Sequence, residues 1–309
     1  MITTSNFELV SIVVTTKNEE KNIANCLQSL RLQTYQNIEI LVVDNYSSDN
    51  TKAIALLFTD KVFDKGPERS AQRNYGMLDK ASGDFLMYVD ADMLLSPNLV
   101  ESCVNHIKVH DCDALHIPER ILGCSFICKV RDFERSFYDG TSIDGARFFK
   151  SSSFKTVGGF DERLFIEGSG EDWDIDKKIK EIGQINILDK NLVAQSNSNW
   201  PLWGFIKKHC VHCDYDYAGI YHNESNFNLR MYLRKKLYYT KGFSGYIKKW
   251  GDHDPDIKRQ FSLSYRFFIV FFENGKWKRL VSKPNLTIGM YFLRFTVGLM
   301  FIINTLKKD

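Results

Sequence analysis

The chain has 309 residues, of which 44% are hydrophobic and 26% charged, and only six are proline. Length and balance suit one large or two small globular domains and exclude a disordered or linker-rich chain. The net charge of +3 hides an asymmetry: 225–309 carries 17 Lys+Arg against 5 Asp+Glu, a balance of +12, which leaves 24 against 33, a balance of −9, in 1–224.

The first half alternates two kinds of segment. Residues 9–16 are a β-branched run that reads as a strand buried on both faces. Residues 19–32 place Ile23, Leu27 and Leu30 at helical spacing, and 38–44 is a second strand. Ser47-Ser48-Asp49 is expected to cap a helix reaching about Phe58. A short strand at 62–64, a helix at 68–80 and a fourth strand at 84–90 follow, and Pro97 opens the next helix. Strands alternating with helices of this length predict an α/β fold with a doubly wound, mostly parallel sheet. In such sheets ligands bind beyond the carboxyl ends of the strands. Thr15-Thr16-Lys17-Asn18-Glu19, Asp44-Asn45 and Asp90-Ala91-Asp92 all follow a strand and are expected to converge on one rim. Further on, 146–149 reads as a strand, Gly158-Gly159-Phe160-Asp161 as a turn, and 171–182 as a helix stopped by Gly183. From Asn226 the chain becomes basic and helical, ending in an almost wholly apolar stretch, 286–306.

The seven cysteines (Cys26, Cys103, Cys112, Cys124, Cys128, Cys210 and Cys213) are odd in number and scattered, which argues against a secreted disulfide framework. The amino terminus lacks the basic and apolar regions of a signal peptide, so a cytoplasmic protein is expected.

Three segments carry chemistry. Asp90-Ala91-Asp92 puts two carboxylates at the end of an apolar strand. Burying them unpaired would cost several kcal/mol each, by general desolvation arguments. A divalent cation with oxygen ligands offsets that cost; helix capping is the simpler alternative. Glu171-Asp172-Trp173-Asp174 follows the glycine-flanked loop Glu167-Gly168-Ser169-Gly170. It could cap a helix or present a general base on a mobile loop. Arg69 and Arg73, four apart, share a helix face that is either solvated or turned to phosphate or carboxylate.

Together these segments resemble the inverting nucleotide-sugar glycosyltransferases of family 2, which have the GT-A fold. The resemblance runs over about 8–182. It rests on 11–20 as the opening strand and loop, 41–51 as the second strand and its turn, Asp90-Ala91-Asp92 as the metal-binding triplet, and Val157-Gly158-Gly159-Phe160-Asp161-Glu162 followed by Glu171-Asp172-Trp173-Asp174. It implies that Thr15, Glu19 and Asp44 line the nucleotide pocket, with Asp44 near the base. It implies that Arg73 supports the phosphate or triplet region, that Asp90 lies near ribose and metal, that Asp92 binds Mg²⁺ or Mn²⁺, and that Asp172 is the catalytic base. The family often supplies a further metal or phosphate ligand from a histidine soon after the Glu-Asp helix. Here Tyr221-His222-Asn223-Glu224 resembles that segment but comes late, which implies an insertion within about 190–219 and makes His222 the candidate.

That stretch contains His209-Cys210-Val211-His212-Cys213, whose spacing suggests zinc, but no second ligand pair accompanies it; small buried thiols are the alternative. Trp200, Trp203 and Phe205 are either core or a platform for an acceptor sugar. The domain reading is a GT-A catalytic unit at 1–224 and a basic, apolar helical extension at 225–309. Arg294 in the middle of 286–306, with lysines and arginines at both ends, argues for an interfacial helix over a membrane span. A core or oligomer-interface helix is the alternative, and oligomeric state is left open. No nucleic-acid module accompanies the basic charge.

The expectation is a metal-dependent inverting glycosyltransferase. It would move a sugar from a nucleotide-diphosphate sugar to an acceptor hydroxyl of a glycan or lipid-linked precursor, and lie peripherally on the cytoplasmic face of a membrane. The alternatives are a nucleotidyltransferase on a similar sheet and a non-catalytic, membrane-attached sugar- or nucleotide-binding module.

Overall fold

The computed structural model describes residues 8–189, 200–209 and 219–306. Val10–Thr16 forms β1, and all seven residues are buried. Its run of Ile and Val is apolar on both faces because helices cover both. Helix α1, Ile23–Arg31, buries Ile23, Cys26, Leu27 and Leu30 along one stripe. Strand β2, Ile38–Asp44, lies parallel to β1 with Thr16 opposite Asp44. Helix α2, Thr51–Ala55, leads to β3, Val62–Asp64, and α3, Arg69–Asn74, continues as a π-helical turn, Tyr75–Lys80. Strand β4, Phe85–Asp90, pairs in parallel on the other side of β1, with Thr15 opposite Asp90. The strand ends therefore meet on one rim, as expected.

Next come β5, Met93–Leu95, α4, Leu99–His110, β6, Ala114–His116, β7, Glu119–Leu122, and α5, Phe126–Arg135. Then follow β8, Ala146–Lys150, α6, Ser151–Thr156, α7, Glu171–Ile182, and β9, Ile185–Ile187. The main sheet runs β3-β2-β1-β4-β8-β6-β9, parallel except where β8 pairs antiparallel with β4 and β6. Ile12 and Val14 pack with Leu27 of α1 and Cys103 of α4 on one face, and Val13 packs with Met77 and Ile175 on the other. After α8, Trp203–His209, strand β10, Ile220–Asn223, joins a small sheet ordered β5-β10-β7. The tail adds α9, Leu229–Tyr239, α10, Phe243–Trp250, α11, Pro255–Phe261, α12, Val270–Phe272, α13, Trp277–Ser282, and α14, Pro284–Leu306.

Several expectations change. The helix after β2 spans only Thr51–Ala55, and of Ser47, Ser48 and Asp49 only Asp49 holds its start, accepting from Thr51 N at 3.0 Å. The three residues also lace two loops together: Asn18 N donates to Ser47 Oγ at 2.8 Å, Ser48 N to Asn18 Oδ1 at 2.9 Å, and Glu20 N to Asp49 Oδ2 at 3.2 Å. Trp200 and Trp203 are core residues, packed with Leu94, Leu122 and Tyr221 beneath the small sheet. Cys210 and Cys213 lie outside the described residues, as does most of 190–219. Arg294 does not reach outward. It is buried and bonds to Glu134 Oε1 at 2.5 Å, to Tyr138 Oη and to the Arg266 carbonyl. A buried guanidinium needs such a partner, and α5 supplies it.

The tail is packed against the body. Val270, Phe271, Met290 and Leu293 share a cluster with Val130, Phe133 and Phe137. Tyr246 and Ile257 pack with Phe165 and Trp173. Among the described residues no helix is long and apolar enough to cross a membrane.

Candidate active site

The rim of the sheet collects acidic groups, and buried arginines hold them apart. Arg73, on α3, is 1% exposed. Its Nη2 lies 3.3 Å from Asp90 Oδ1, and its Nη1 donates to Asp172 Oδ1 at 2.8 Å. One guanidinium thus joins the strand-end carboxylate to the carboxylate that opens α7. Its plane lies over the Tyr88 ring, 4.0 Å from the centroid. Arg69, one turn earlier, pairs with the buried Glu171 at 2.8 Å. Gln72, between them, donates to the carbonyls of Thr16 and Val43 at 3.1 and 2.7 Å, satisfying the ends of β1 and β2.

Asp172 stands at the first turn of α7, where a carboxylate suits the helix dipole. Oδ1 accepts from Arg73 and from Tyr88 Oη at 2.9 Å. Oδ2 takes no hydrogen bond among the described residues, and the side chain is 33% exposed. A Cβ on Gly145 would fall 2.8 Å from Asp172 Cβ, so this carboxylate is backed closely by backbone. The preceding loop, read as mobile from its glycines, is held by the tail: Ser169 N donates to the Tyr239 carbonyl at 3.2 Å. Gly168 has φ +102°, and a Cβ there would lie 2.3 Å from Gly242 N. Only glycine meets both demands.

Asp90 and Asp92 keep different company. Asp90 Oδ1 accepts from Thr15 Oγ1 at 3.2 Å, and Asp90 Oδ2 lies 3.7 Å from Arg147 Nη1. Burial disfavours its charge, but Arg73 and Arg147 outweigh burial and hold the carboxyl well below the usual range. Asp92 instead faces His222. Strand β10 pairs with β5, directly after the triplet: His222 lies opposite Met93, and Asn223 N donates to the Asp92 carbonyl at 2.8 Å. His222 Nε2 is 3.0 Å from Asp92 Oδ2, and Nδ1 is 3.1 Å from Glu119 Oε1. Burial opposes charge on this imidazole, but Asp92 and Glu119 raise it well above its ordinary value.

Glu119 closes a ring. It lies 3.4 Å from Arg147, which reaches back to Asp90. The sequence reading found Asp90, Asp92, His222, Arg73 and Asp172, and the structure brings all five together. Thr15 joins them through Asp90. Glu19 is half-buried, accepting from Asn22 Nδ2 at 2.7 Å, and burial raises its carboxyl. Asp44, at the end of β2, is turned onto its own turn: it accepts from Ser47 N at 2.7 Å and Ser47 Oγ at 2.5 Å. Tyr88, Glu119 and Arg147 were missed. Arg147 carried a signal, a charge inside an otherwise apolar strand; Tyr88 carried none.

Asp92 and His222 have the donor chemistry that a divalent cation requires. Asp92 Oδ1 is buried without a partner, and His222 has its second nitrogen on a carboxylate, the usual arrangement behind a metal-binding histidine. Among the described residues no cluster of three or more His, Cys, Asp or Glu side chains forms a ready-made cage. Mg²⁺ and Mn²⁺ are commonly held by one or two carboxylates plus substrate phosphates, and Asp92 offers such a carboxylate.

A family model described as Glycosyl transferase family 2 matches residues 11–147. Glycosyltransferase GlyG of Streptococcus pneumoniae is 31% identical over 114 residues, 35% of this chain and 38% of that protein. The Escherichia coli protein named UDP-Glc:alpha-D-GlcNAc-diphosphoundecaprenol beta-1,3-glucosyltransferase WfgD is 35% identical over 97 residues, 30% of this chain and 38% of that protein. The first four curated relatives are matched over 30–54% of their own length. The structure of mannosyltransferase PcManGT from Pyrobaculum calidifontis, in complex with GDP-Man and Mn²⁺, superposes with a TM-score of 0.54 at 16% identity, covering 97% of this chain and 80% of that one.

Proposed function

We infer that this chain belongs to glycosyl transferase family 2, whose model matches residues 11–147, and that it transfers a sugar from a nucleotide-diphosphate sugar to an acceptor hydroxyl, with inversion, on a sheet of the GT-A fold. The observation that carries the reading is Arg73, which ties Asp90 to Asp172 across one cleft. The strand-end loops carrying Thr15, Glu19 and Asp44 would receive the nucleotide. Asp92, with Asp90 and His222, would hold Mg²⁺ or Mn²⁺, which when bound offsets charge on a diphosphate leaving group.

Asp172 acts as the base. Arg73 and Tyr88 fix Oδ1, which leaves Oδ2 to take the proton of the acceptor hydroxyl. The hydroxyl oxygen bonds to the anomeric carbon as the bond to the diphosphate oxygen breaks, and the nucleoside diphosphate leaves. A single displacement inverts that carbon, and no glycosyl-enzyme forms.

The Escherichia coli relative's name specifies a sugar on a diphosphate lipid, which supports a lipid-linked or cell-surface glycan precursor as acceptor. The basic tail supports peripheral attachment to the cytoplasmic face of a membrane.

A screen of nucleotide sugars for metal-dependent thermal stabilisation tests the donor, since a ligand that binds only the folded state raises Tm. Asp172→Asn should keep that stabilisation while nucleoside diphosphate release falls by about 10²–10⁴-fold. Turnover near wild type would remove Asp172 from its role, and no stabilisation by any nucleotide sugar would remove the donor.

A further inference from the structure

Ten of the twenty exposed large hydrophobic side chains among the described residues lie between 263 and 299. Four of them, Ile288, Phe292, Phe295 and Leu299, are 58–69% exposed on α14. Their spacing of four, three and four puts them on one stripe. The opposite face of the helix is committed to the protein through Met290, Leu293 and Arg294. The stripe continues onto a neighbouring turn, Tyr265–Ile269, through ring contacts of 5.4 Å between Phe267 and Phe295 and 6.4 Å between Phe268 and Tyr291. Phe268 and Ile269 of that turn are also exposed. Monomers rarely leave a large contiguous apolar patch uncovered.

Charge identifies the occupant. Between 258 and 299 there are eight Lys+Arg and one acidic residue, Glu273. Lys258, Arg259, Lys278 and Lys283 are exposed. Interface cores between protein subunits are depleted in lysine, and two copies meeting through this face would bring like charges together. An anionic lipid surface accepts both features: aromatic and aliphatic groups at the acyl boundary, and lysines among the headgroups. We propose that the outer stripe of α14 and the Tyr265–Ile269 turn dock this protein flat on an anionic bilayer surface. The proposal rests on the membrane attachment inferred above, and it adds the docking face, its side chains and the lipid class.

The face is tied to the active site through one helix. Arg294 pairs with Glu134 of α5, and Arg131, on the same helix, holds Glu224 at 2.6 and 2.7 Å. Glu224 lies two residues beyond His222.

The full chain can be pelleted with vesicles of phosphatidylcholine alone or mixed with phosphatidylglycerol. Wild type should pellet with the anionic vesicles only. Phe292→Ser with Phe295→Ser should weaken binding by roughly tenfold or more. Lys278→Glu with Lys283→Glu should weaken it by at least about fivefold per lysine at low salt. The lysine pair should keep the wild-type Tm because both side chains are exposed, and the serine pair should lower it by only a few degrees, since it gives up one ring contact, Phe295 on Phe267. A wild type that ignores anionic vesicles would overturn membrane attachment itself. Wild-type binding that the serine pair leaves unchanged would overturn only this face. A dimer in sedimentation that the serine pair dissolves, without vesicle binding, would make the face a subunit interface and overturn the proposal. Vesicle binding needs no donor sugar, so each result stands apart from the glycosyltransferase reading.

Discussion

Glu119 is a buried carboxylate that keeps its charge because cations enclose it. Burial pushes its carboxyl up, but Arg135, His222 and Arg147 bring it well below the usual range. They lie within 3.7 Å. By accepting at Nδ1, Glu119 sets which imidazole nitrogen faces Asp92. Glu119→Gln should therefore lower nucleoside diphosphate affinity in Mg²⁺ or Mn²⁺ by about 10–100-fold, while affinity in chelator stays unchanged. Isothermal titration under both conditions reads the difference; equal losses would make Glu119 a packing residue. The sequence made Asp90, Asp92 and Asp172 legible because they sit at a strand end or a helix start, where simple packing explains them poorly. Glu119 and Arg147 were not legible as a pair. They meet His222 and Asp90 only after β7 pairs with β10 and β8 with β4, and no local pattern encodes those registers. Tyr88 reads as one more apolar strand residue until α7 brings Asp172 within 2.9 Å of its hydroxyl.

At the level of elements, α7 is gripped from behind by the tail. Trp250 Nε1 donates to the fully buried Asp174 at 2.7 Å, and Lys249 pairs with the same carboxylate at 2.7 Å. The Trp173 ring meets Phe243 at 5.8 Å and Phe261 at 5.9 Å. The helix that presents the proposed base is thus positioned by residues seventy or more positions later. The β/α alternation of the first half was legible because each strand and helix announces its own period. Integration of the tail was not, since a helix apolar all round reads alike whether protein or lipid covers it. The two faces can be separated by mutation. Phe271, wholly buried against Phe137 at 5.0 Å, should cost about 3–5 kcal/mol as Phe271→Ala. Phe292→Ser, on the exposed stripe, should stay within about 0.5 kcal/mol of wild type. Urea denaturation measures both; similar losses would mean that the stripe is also packed.

Over the whole molecule, an acidic body joined to a basic tail gives a charge dipole that would turn the tail toward an anionic surface. Stability has its own pH dependence, to which two clusters around Glu39 and His116 contribute with opposite sign. Glu39 accepts from Ser11, from Ser82 Oγ at 2.8 Å and from Lys61 at 2.5 Å. Burial alone would raise its carboxyl, but Lys61 and the two serines bring it from an ordinary 4.5 down to about 2. A depressed carboxylate stabilises fully above its unfolded value and loses that contribution as pH falls through the folded one. His116 behaves oppositely. Burial disfavours its charge, but Asp176 at 2.6 Å and Asp144 at 3.7 Å outweigh burial and raise it above 6.5, with Lys180 opposing. Its contribution is complete below about pH 6.5 and fades as pH rises through the raised folded value. Glu39→Gln should therefore cost about 3 kcal/mol at pH 7, with the gap to wild type closing between pH 4.5 and 2. His116→Gln should show its largest gap below pH 6.5 and a narrowing one above. Thermal or urea unfolding of both variants from pH 2 to 9 reads the two trends. A gap that stays constant across either window would mean that the residue acts there through shape and not through charge.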